Sequence, residues 1–500
     1  MRTKPSPDQR DQRDTIVSRV LRSATLTPDA TALVSELDAW SYGELGQRII
    51  GAAHEIRRRP LHAGDRVIVP ASNTLHFVTS YLAVHFCGGI AVPVDAGAPK
   101  ARLEYIQDRT AARLLLTGND QRTLLDQASK YSVSVSEAML EGSSRSSTAD
   151  IMFTSGTTGS PKGVVLSHEN IARAADRINA FVGTRQDDVE LLALPLAHSF
   201  GLGSLRCVLS AGACAILVEG FVFPGKIFEA LERHRATGFR CVPAGLSALF
   251  RLSRDKLGEF ADNLRYLELG SAPMPIEDKL RLMRLLPHTR LCMHYGLTEA
   301  TRSVYIEFHR DSERLDSVGR PTSGVDVRIC GEHGETLPDG ESGEIRIRGT
   351  HVMQGYWNDP QRSAETLEAG WLRTGDFGYS EQRGYLYLQG RRTDMINVGG
   401  RKVSPLEVEQ ALLTHPQVID CACTAIADPG GLSGEAVAVL VTPSNQQVPD
   451  ERELRKHLRQ ALEPYKIPTR WAFSGDIPRT SNGKVQRHLL REQLEIRQSE

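Results

Sequence analysis

Short apolar runs alternate with helix-like patterns along the first three quarters of the chain. Residues 66–69, 90–94 and 113–116 are compact apolar runs of the length typical of buried strands, and residues 77–86 have a pattern typical of a helix. Strand–helix alternation of this kind predicts mostly parallel sheets covered by helices.

A longer helical pattern begins near residue 167. Ser167 is a candidate N-cap, because its hydroxyl can accept a hydrogen bond from a free N–H group of the first helical turn. The apolar residues that then keep helical spacing are Ile171, Ala174, Ala175, Ile178 and Val182. One face of this predicted helix is therefore apolar and packs on a sheet.

The pattern changes towards the C-terminus. Residues 344–348 and 385–388 are short predicted strands, and a polar segment follows at 390–394. Beyond it, Ser404 to Glu407 form a capping box with proline at the first helical position, and residues 450–453 are a second candidate. The predicted strands of this last part are 418–427 and 436–441.

These changes divide the chain into three predicted parts. Residues 1–14 are polar and charged and are expected to form a disordered tail. Residues 15–390 are expected to form a large N-terminal domain, since 500 residues exceed what one core holds. Residues 391–500 are expected to form a small α+β domain.

Charge and cysteine usage limit the function classes. Lys plus Arg (60) nearly equal Asp plus Glu (61), so the charge balance does not indicate nucleic acid or an anionic membrane as a partner. The most apolar region, 191–218, is interrupted by Pro195, His198 and Arg206, which disfavours a membrane span. Eight cysteines without a C-x-x-C pair are typical of reduced thiols in the cytoplasm.

The strongest chemical signal lies between the apolar runs 151–153 and 164–166. Glycines let backbone N–H groups turn toward an anion, hydroxyls add donors, and one ammonium balances phosphate charge. The spacing differs from the GxxxxGK[ST] loop, because the lysine follows a proline and no Ser or Thr comes after it. The predicted polyphosphate-binding residues are Thr154, Ser155, Gly156, Thr157, Thr158, Gly159 and Lys162.

Further polar clusters follow along the chain. Thr298 and Glu299 set a hydroxyl beside a carboxylate, a pair that can hold magnesium and a phosphate oxygen together. Asp376 follows a glycine turn and is suited to gripping two vicinal hydroxyls of a ribose, and Arg391 lies at the predicted hinge. Lys484 lies on a turn near the end of the chain. Taken singly, these residues also fit a helix start, a turn cap and a solvated charge.

Together and in this order, the clusters resemble the superfamily of adenylate-forming enzymes, which includes acyl- and aryl-CoA synthetases, peptide-synthetase adenylation domains and beetle luciferases. The resemblance covers residues 25–490. It implies an α/β fold, with a large N-terminal domain of two αβαβα-type sheets plus a distorted β-barrel, and a small α+β C-terminal domain that rotates. It also implies ATP and Mg2+ as cofactors.

The resemblance assigns roles position by position. The loop 154–162 would cradle the β- and γ-phosphates of ATP, Tyr295 would stack on adenine, Thr298 would bind the α-phosphate, and Glu299 would hold magnesium. Asp376 and Arg391 would hold the ribose hydroxyls. The backbone strip that lines the adenine and acyl pocket would be Gly270, Ser271 and Ala272.

Lys484 would reach between the substrate carboxylate and the α-phosphate. A positive charge there stabilises the negative charge that develops as the carboxylate attacks phosphorus. His198 matches the family's residue at the carboxylate end of the acyl pocket, although a histidine satisfied in a core loop is an alternative interpretation. The hinge position two residues after Arg391 is usually Asp or Lys in this family, and here it is Thr393.

The predicted acyl pocket disfavours α-amino acids. Amino-acid-activating relatives carry an Asp where this chain has Ser199, and an unpaired buried ammonium would cost several kcal/mol. A mostly apolar wall with occasional hydroxyls suits an aromatic acid or a medium-chain acyl group, with aromatic slightly favoured. The predicted wall consists of His198, Ser199, Phe200, Ser204, Val242, Pro243 and Met293.

The acceptor is left open between alternatives. Gly399 and Gly400 match the loop that meets the pantetheine arm, where glycine permits close approach to the thiol channel. Coenzyme A is the expected acceptor. Because about 16 residues follow Lys484, an acyl carrier protein would have to be a discrete partner. A luciferase-type oxygenase has the same motifs, whereas an inactive nucleotide-binding scaffold is disfavoured because every charged position is filled.

Overall fold

The computed structural model describes residues 14–128, 147–154, 161–221, 223–428, 434–444, 448–474, 476–480 and 484–496. Most of the predicted tail, 1–14, and the loop residues 155–159 lie outside these ranges. The fold is mixed α/β, with several sheets and a separate C-terminal domain, which confirms the predicted class. None of the described helices combines the length and the apolar character needed to cross a bilayer.

The bounds of the regular elements follow in chain order. The strands are β1 (Thr31–Val34), β2 (Ala39–Ser41), β3 (Arg66–Ala71), β4 (Ile90–Asp95), β5 (Leu114–Leu115), β6 (Thr148–Thr154), β7 (Lys162–Ser167), β8 (Val189–Leu192), β9 (Cys214–Leu217), β10 (Gly238–Cys241), β11 (Tyr266–Leu269), β12 (Arg290–Leu297), β13 (Ala300–Glu307), β14 (Arg320–Pro321), β15 (Val325–Cys330), β16 (Gly343–Gly349), β17 (Gly355–Tyr356), β18 (Leu367–Glu368), β19 (Trp371–Glu381), β20 (Tyr385–Arg391), β21 (Ile396–Val398), β22 (Arg401–Val403), β23 (Val418–Ala427), β24 (Glu435–Pro443) and β25 (Arg470–Phe473). The α-helices are α1 (Ile16–Leu26), α2 (Tyr42–Arg57), α3 (Leu75–Phe86), α4 (Lys100–Thr110), α5 (Gly118–Ala128), α6 (His168–Val182), α7 (Ser199–Ala211), α8 (Pro224–Arg233), α9 (Pro243–Ser253), α10 (Ile276–Leu285), α11 (Pro360–Thr366), α12 (Pro405–Leu413), α13 (Glu451–Leu458) and α14 (Arg487–Ile496). Short 3₁₀ helices cover Lys256–Phe260, Ser312–Arg314, Gln382–Gly384 and Pro464–Lys466.

Two large sheets carry the N-terminal part. The first has nine strands in the order β14-β13-β12-β11-β10-β8-β9-β1-β2, and its central strands, from β12 to β1, are parallel. The second has six strands in the order β17-β7-β6-β4-β3-β5, with an antiparallel β6–β7 hairpin on its parallel part. Strand–helix alternation therefore produces parallel sheets, as predicted.

A third sheet replaces the expected distorted barrel. Strands β15, β16, β19 and β18 follow one another antiparallel, and β20 also pairs with β19. Among the described residues no strand pairing closes these strands into a barrel, so this detail of the expected fold is corrected to an open sheet.

Local capping explains where the predicted helices begin. Ser167 Oγ accepts a hydrogen bond from Asn170 N at 3.1 Å, and Asn170 returns the bond to Ser167 N, so α6 starts at a reciprocal capping box. Ser404 Oγ likewise accepts from Glu407 N at 3.2 Å ahead of α12, and Asp450 caps α13. The apolar region 191–218 forms strand, helix and strand (β8, α7 and β9), as predicted.

The small C-terminal domain has a two-sided sheet. Alternate residues of β24 enter separate cores: Val437, Val439 and Val441 face one, and Ala438 and Leu440 face the other. Helices α12 and α13 cover the first core and α14 the second. Strand β20 ends at Arg391, close to the domain boundary predicted near residue 390, which stays a prediction.

Candidate active site

A charged triad forms where the β6–β7 hairpin meets the β12–β13 turn. Lys162, the first residue of β7, places its Nζ 2.8 Å from Oε1 of Glu299. The same ammonium donates to the hydroxyl of Tyr356 on β17 at 2.6 Å, and that hydroxyl donates to Glu299 Oε1 at 2.9 Å. The predicted phosphate-loop lysine and the predicted magnesium-binding carboxylate are therefore in direct contact, and one tyrosine hydroxyl bonds both of them.

The triad keeps Glu299 ionised. Burial alone would raise the pKa of the Glu299 carboxyl, but the adjacent Lys162 ammonium outweighs burial and lowers it. An ionised carboxylate is the hard oxygen ligand that Mg2+ prefers, so Glu299 is suited to hold the metal next to phosphate oxygens.

A second cluster lies at the end of the third sheet. Asp376 on β19 is paired in register with Arg391 on β20, and the Arg391 Nε donates to Asp376 Oδ1 at 3.1 Å. The hydroxyl of Tyr295, the residue expected to stack on adenine, donates to Asp376 Oδ2 at 2.7 Å. Burial raises the pKa of Asp376, and Arg391 opposes that rise. The carboxylate is thus oriented by donors on both oxygens.

Lys484 reaches the same cleft from the small domain. It lies on a turn in which Thr480 N donates to Lys484 O at 2.8 Å and Lys484 N donates to Thr480 Oγ1 at 3.2 Å. Lys484 is exposed overall, but desolvation by the surrounding protein and the nearby charge of Arg391 lower the pKa of its ammonium, whereas Glu299 and Asp376 oppose the decrease. Residues as far away in sequence as Glu299 therefore act on Lys484.

The N-terminus of α7 contributes the next wall of the cleft. His198 is the N-cap, and burial lowers its pKa, with Asp95 opposing and Lys484 reinforcing the change. Ser199 Oγ lies 3.2 Å from Thr298 Oγ1, so the predicted acyl-pocket serine contacts the predicted α-phosphate threonine. His198, Lys484 and Thr298 consequently lie at one junction.

Phe200 and Met293 are buried side chains of the predicted acyl wall. Val242 is the N-cap of α9 and Pro243 is its first residue. The strip Gly270 to Ala272 is the turn after β11, with Ser271 at a φ of 75°. Ser204 is fully buried, and its hydroxyl accepts from Arg302 at 2.7 Å and donates to Phe200 O. The Ser204 hydroxyl therefore forms its hydrogen bonds with groups inside the domain.

A buried ionic network lies under this wall. Arg240 contacts Glu268 at 2.7 Å and Glu190 at 3.0 Å, and Arg302 contacts Glu268 at 2.8 Å. The hydroxyls of Tyr266 and Tyr305 donate to Glu190 and Glu268, each at 2.6 Å. Burial raises the pKa of Glu190 to about 7, while Arg302 and Arg240 overcome burial and hold the pKa of Glu268 well below its usual range.

Gly399 and Gly400 form an exposed two-residue turn between β21 and β22, with φ values of 57° and 82°. Both values lie in the left-handed region that glycine adopts without strain. A Cβ at Gly400 would meet nothing within 4 Å. The predicted thiol-channel residues thus lie on the small domain, on a turn open to solvent.

Sequence comparison agrees with the site. The AMP-binding enzyme family matches residues 20–357, and the family of the AMP-binding enzyme C-terminal domain matches residues 407–484. The chain belongs to the AMP-binding enzyme family. It is an adenylate-forming enzyme of the acyl- and aryl-CoA synthetase type, an acid–thiol ligase whose cofactors are ATP and Mg2+.

Curated relatives and solved structures match this AMP-binding enzyme over nearly its whole length. Feruloyl-CoA synthase of an Amycolatopsis species is 31% identical, over 93% of this chain and 96% of the relative. A 2-succinylbenzoate–CoA ligase of Bacillus cereus is 28% identical, over 96% and 99%. The solved structure of o-succinylbenzoate coenzyme A synthetase from Bacillus subtilis, in complex with ATP and magnesium ion, is 26% identical, with a TM-score of 0.82 over 96% of this chain and 99% of that one.

Two contributors to the site of this AMP-binding enzyme were not predicted from sequence. Tyr356 carries no local signal, because its partner Lys162 is 194 residues away. His294 packs edge-on against the Phe200 ring, with centroids 4.6 Å apart, and it directly precedes Tyr295. The position of His294, directly before the Tyr295 motif on β12, is the sequence signal from which it could have been predicted.

Proposed function

We propose that this enzyme activates an aromatic carboxylic acid with ATP to form the acyl-adenylate and pyrophosphate, and then transfers the acyl group to coenzyme A. The observation that carries the proposal is the convergence of Lys484, Lys162 and Arg391 with the carboxylates Glu299 and Asp376 in one cleft. Three cations there match a reaction that joins a carboxylate to a polyphosphate.

Each residue has a defined part in the first half-reaction. The substrate carboxylate is itself the nucleophile, and it forms a bond to the α-phosphorus as the bond to pyrophosphate breaks. Lys484 stabilises the charge that develops between the two groups, and Thr298 donates to the α-phosphate. Asp376 and Arg391 hold the ribose, and Lys162 binds the β- and γ-phosphates. Mg2+ on Glu299 would neutralise phosphate charge.

An aromatic acid fits the wall and the relatives. Phe200 and Met293 offer flat apolar contact, and Ser199 supplies no carboxylate for an α-ammonium group. The relatives named above are ligases for feruloyl and 2-succinylbenzoate groups. We place the reaction in the cytoplasm, which fits eight cysteines that form no disulfide.

The domain boundary is proposed to act as a hinge just after Arg391. Arg391 is held to Asp376 of the large domain, whereas Asp394 accepts a hydrogen bond from Arg487 of the small domain at 3.2 Å. Thr393, exposed between them, bonds only Asp394 among the described residues. Rotation over these few residues would withdraw Lys484 and bring the Gly400 turn towards the acyl-adenylate for thiol transfer.

The first experiment measures acid-dependent exchange of labelled pyrophosphate into ATP over a panel of aromatic, fatty and branched acids. We expect exchange with aromatic acids and no consumption of oxygen. Absence of exchange for every acid would refute the proposal, and oxygen-dependent light emission would favour a luciferase-type oxygenase.

The second experiment identifies the acceptor. Wild-type enzyme is incubated with ATP, its best acid and either free coenzyme A or candidate holo-carrier proteins, and the thioester is detected by mass. Saturable turnover with free coenzyme A is expected. Thioester formed only on a carrier would replace coenzyme A with a discrete acyl carrier protein.

Gly400→Leu separates the two half-reactions. Bulk at this turn should block the pantetheine path, so pyrophosphate exchange is retained while acyl-CoA formation is lost. Gly340→Leu is the matched control, since Gly340 also lies at positive φ on an exposed turn with open space around it. Equal loss of acyl-CoA formation in both variants would contradict the assignment.

A further inference from the structure

His294 lies between the predicted acyl wall and the buried ionic network. Its ring meets the Phe200 ring edge-on, and its Nδ1 lies 2.9 Å from Glu268 Oε1. The ring also lies against Gly270, where the atoms Cε1, Nε2 and Nδ1 would be 2.1, 2.2 and 2.6 Å from any added Cβ. The ring therefore occupies the space that a side chain at position 270 would need.

The network determines which ring nitrogen carries the proton. Glu268 is fixed by Arg240, Arg302 and Tyr305, and these donors keep its carboxylate ionised. An ionised carboxylate oxygen at 2.9 Å would repel a nitrogen lone pair, so Nδ1 is the protonated nitrogen. Burial lowers the pKa of His294, which keeps the ring neutral and leaves Nε2 with a free lone pair.

Nε2 has no partner within the described part of the chain. No hydrogen bond to Nε2 occurs there. Nε2 is also absent from the set of buried polar atoms that lack a partner, which means that solvent reaches it. The atom is therefore an accessible acceptor at the edge of the ring that faces Gly270, on the predicted backbone strip of the acyl pocket. The Phe200 ring, packed edge-on against His294, is an apolar neighbour of this nitrogen.

We propose that His294 Nε2 accepts a hydrogen bond from a hydroxyl group on the ring of an aromatic acid, and that the enzyme thereby selects hydroxylated aryl acids. This inference rests on the proposed function, of which it narrows the substrate class. An acceptor in an apolar pocket penalises ligands that cannot donate to it, because binding them leaves the nitrogen desolvated and unpaired. Unsubstituted aryl acids and fatty acids have no such donor.

The test compares matched aryl acids that carry hydroxyl, methoxy or hydrogen at each ring position. The readout is kcat/KM for pyrophosphate exchange. Wild-type enzyme should prefer one hydroxylated acid over its unsubstituted counterpart by about 10- to 100-fold, which is the cost expected for leaving one buried acceptor unpaired. His294→Leu should bring this ratio close to one, and His294→Gln, whose amide oxygen still accepts, should retain part of it.

His168→Leu is the matched control, since it also replaces a buried histidine of the large domain but one on α6, away from Phe200 and Gly270. This variant should keep the wild-type ratio. A best acid without a donor group, or an unchanged ratio in His294→Leu, would overturn the inference while leaving the proposed function intact. Failure of exchange with every acid would overturn both.

Discussion

Two groups of charges lie within one domain and behave differently. In the cleft, the cations of the Lys162–Glu299 and Arg391–Asp376 pairs are 25% and 39% exposed, while their carboxylates are 9% and 12% exposed. Under the acyl wall, Arg240, Glu190, Glu268 and the Arg302 side chain are wholly buried. The cleft pairs can exchange a protein partner for a phosphate or a ribose, whereas the buried charges have no ligand within reach.

The difference teaches that charge alone does not identify a binding group. A partly exposed cation can change partners, because water or a ligand replaces the lost contact. A buried pair that loses one member leaves a desolvated charge, which is strongly destabilising. The buried network accordingly fixes strands β8, β10, β11 and β13 relative to one another and orients His294, while the cleft pairs are available for chemistry.

The largest expected effect comes from breaking the buried network. Arg240→Met leaves Glu190 and Glu268 without their shared cation and should lower the free energy of unfolding by about 3–5 kcal/mol. Denaturant unfolding measures this loss. Arg391→Met should cost less, because Tyr295 still donates to Asp376 and that carboxyl, whose pKa burial already raises, can take up a proton. Equal losses for the two variants would contradict the comparison.

Removing a cleft charge should reduce activity and leave the free energy of unfolding unchanged. Lys484→Ala deletes a contact made in the transition state and should slow pyrophosphate exchange by about 10²–10³-fold, with an unchanged free energy of unfolding. Thioester formation from supplied acyl-adenylate should be largely spared. The exposed Lys456 of α13 provides the control variant Lys456→Ala, which should match wild type. A similar slowing of both half-reactions would refute the role of Lys484 in adenylation alone.

Burial also makes one histidine sensitive to acid. The environment of His168 lowers its pKa to about 3, chiefly by desolvation. Below pH 6.5 the His168 side chain binds a proton in the unfolded chain but stays neutral in the folded protein. This group therefore lowers the free energy of unfolding progressively as pH falls from 6.5 to 3, and it has no effect on stability at higher pH.

Between pH 7 and pH 4.5, wild type should therefore lose about 3 kcal/mol more stability than His168→Leu. Denaturant unfolding of both proteins at the two pH values measures the difference. Parallel losses would show that His168 is protonated in the folded protein without cost.

The smallest expected effect concerns the tyrosine of the triad. Tyr356→Phe keeps the ring but removes the hydroxyl that bridges Lys162 and Glu299, so the KM for Mg-ATP should rise about 5- to 10-fold, with little change in kcat. Initial rates at varied Mg-ATP measure this change. Tyr379→Phe on β19 is the control, and an equal increase there would argue against a specific bridge.

Sequence predicted the elements whose signals are local. Strand β23 has the predicted bounds, and the caps at Ser167 and Ser404 act through residues three positions away. Strand β5 is shorter than the predicted run, at Leu114–Leu115, because only these residues pair with β3. The predicted barrel became an open sheet, since closure depends on pairing between distant strands and short apolar runs do not specify it.

The site shows the same division between local and distant signals. Ordered motifs identified Lys162, Glu299, Asp376, Arg391 and Lys484, and the structure brings them together, although their catalytic roles stay predictions. Their partners were beyond sequence reasoning. The residues of the buried network come from four strands of one sheet, and only the fold shows that their charges meet.

The cysteines have a practical consequence for measuring domain movement. Seven of the eight thiols are buried, and the remaining one, Cys87, is half-buried. Burial raises the pKa of Cys214 and Cys292 to about 12, so little thiolate forms at neutral pH. A fluorophore maleimide should therefore label a cysteine introduced on each side of Thr393 in preference to the native thiols, without a cysteine-free background.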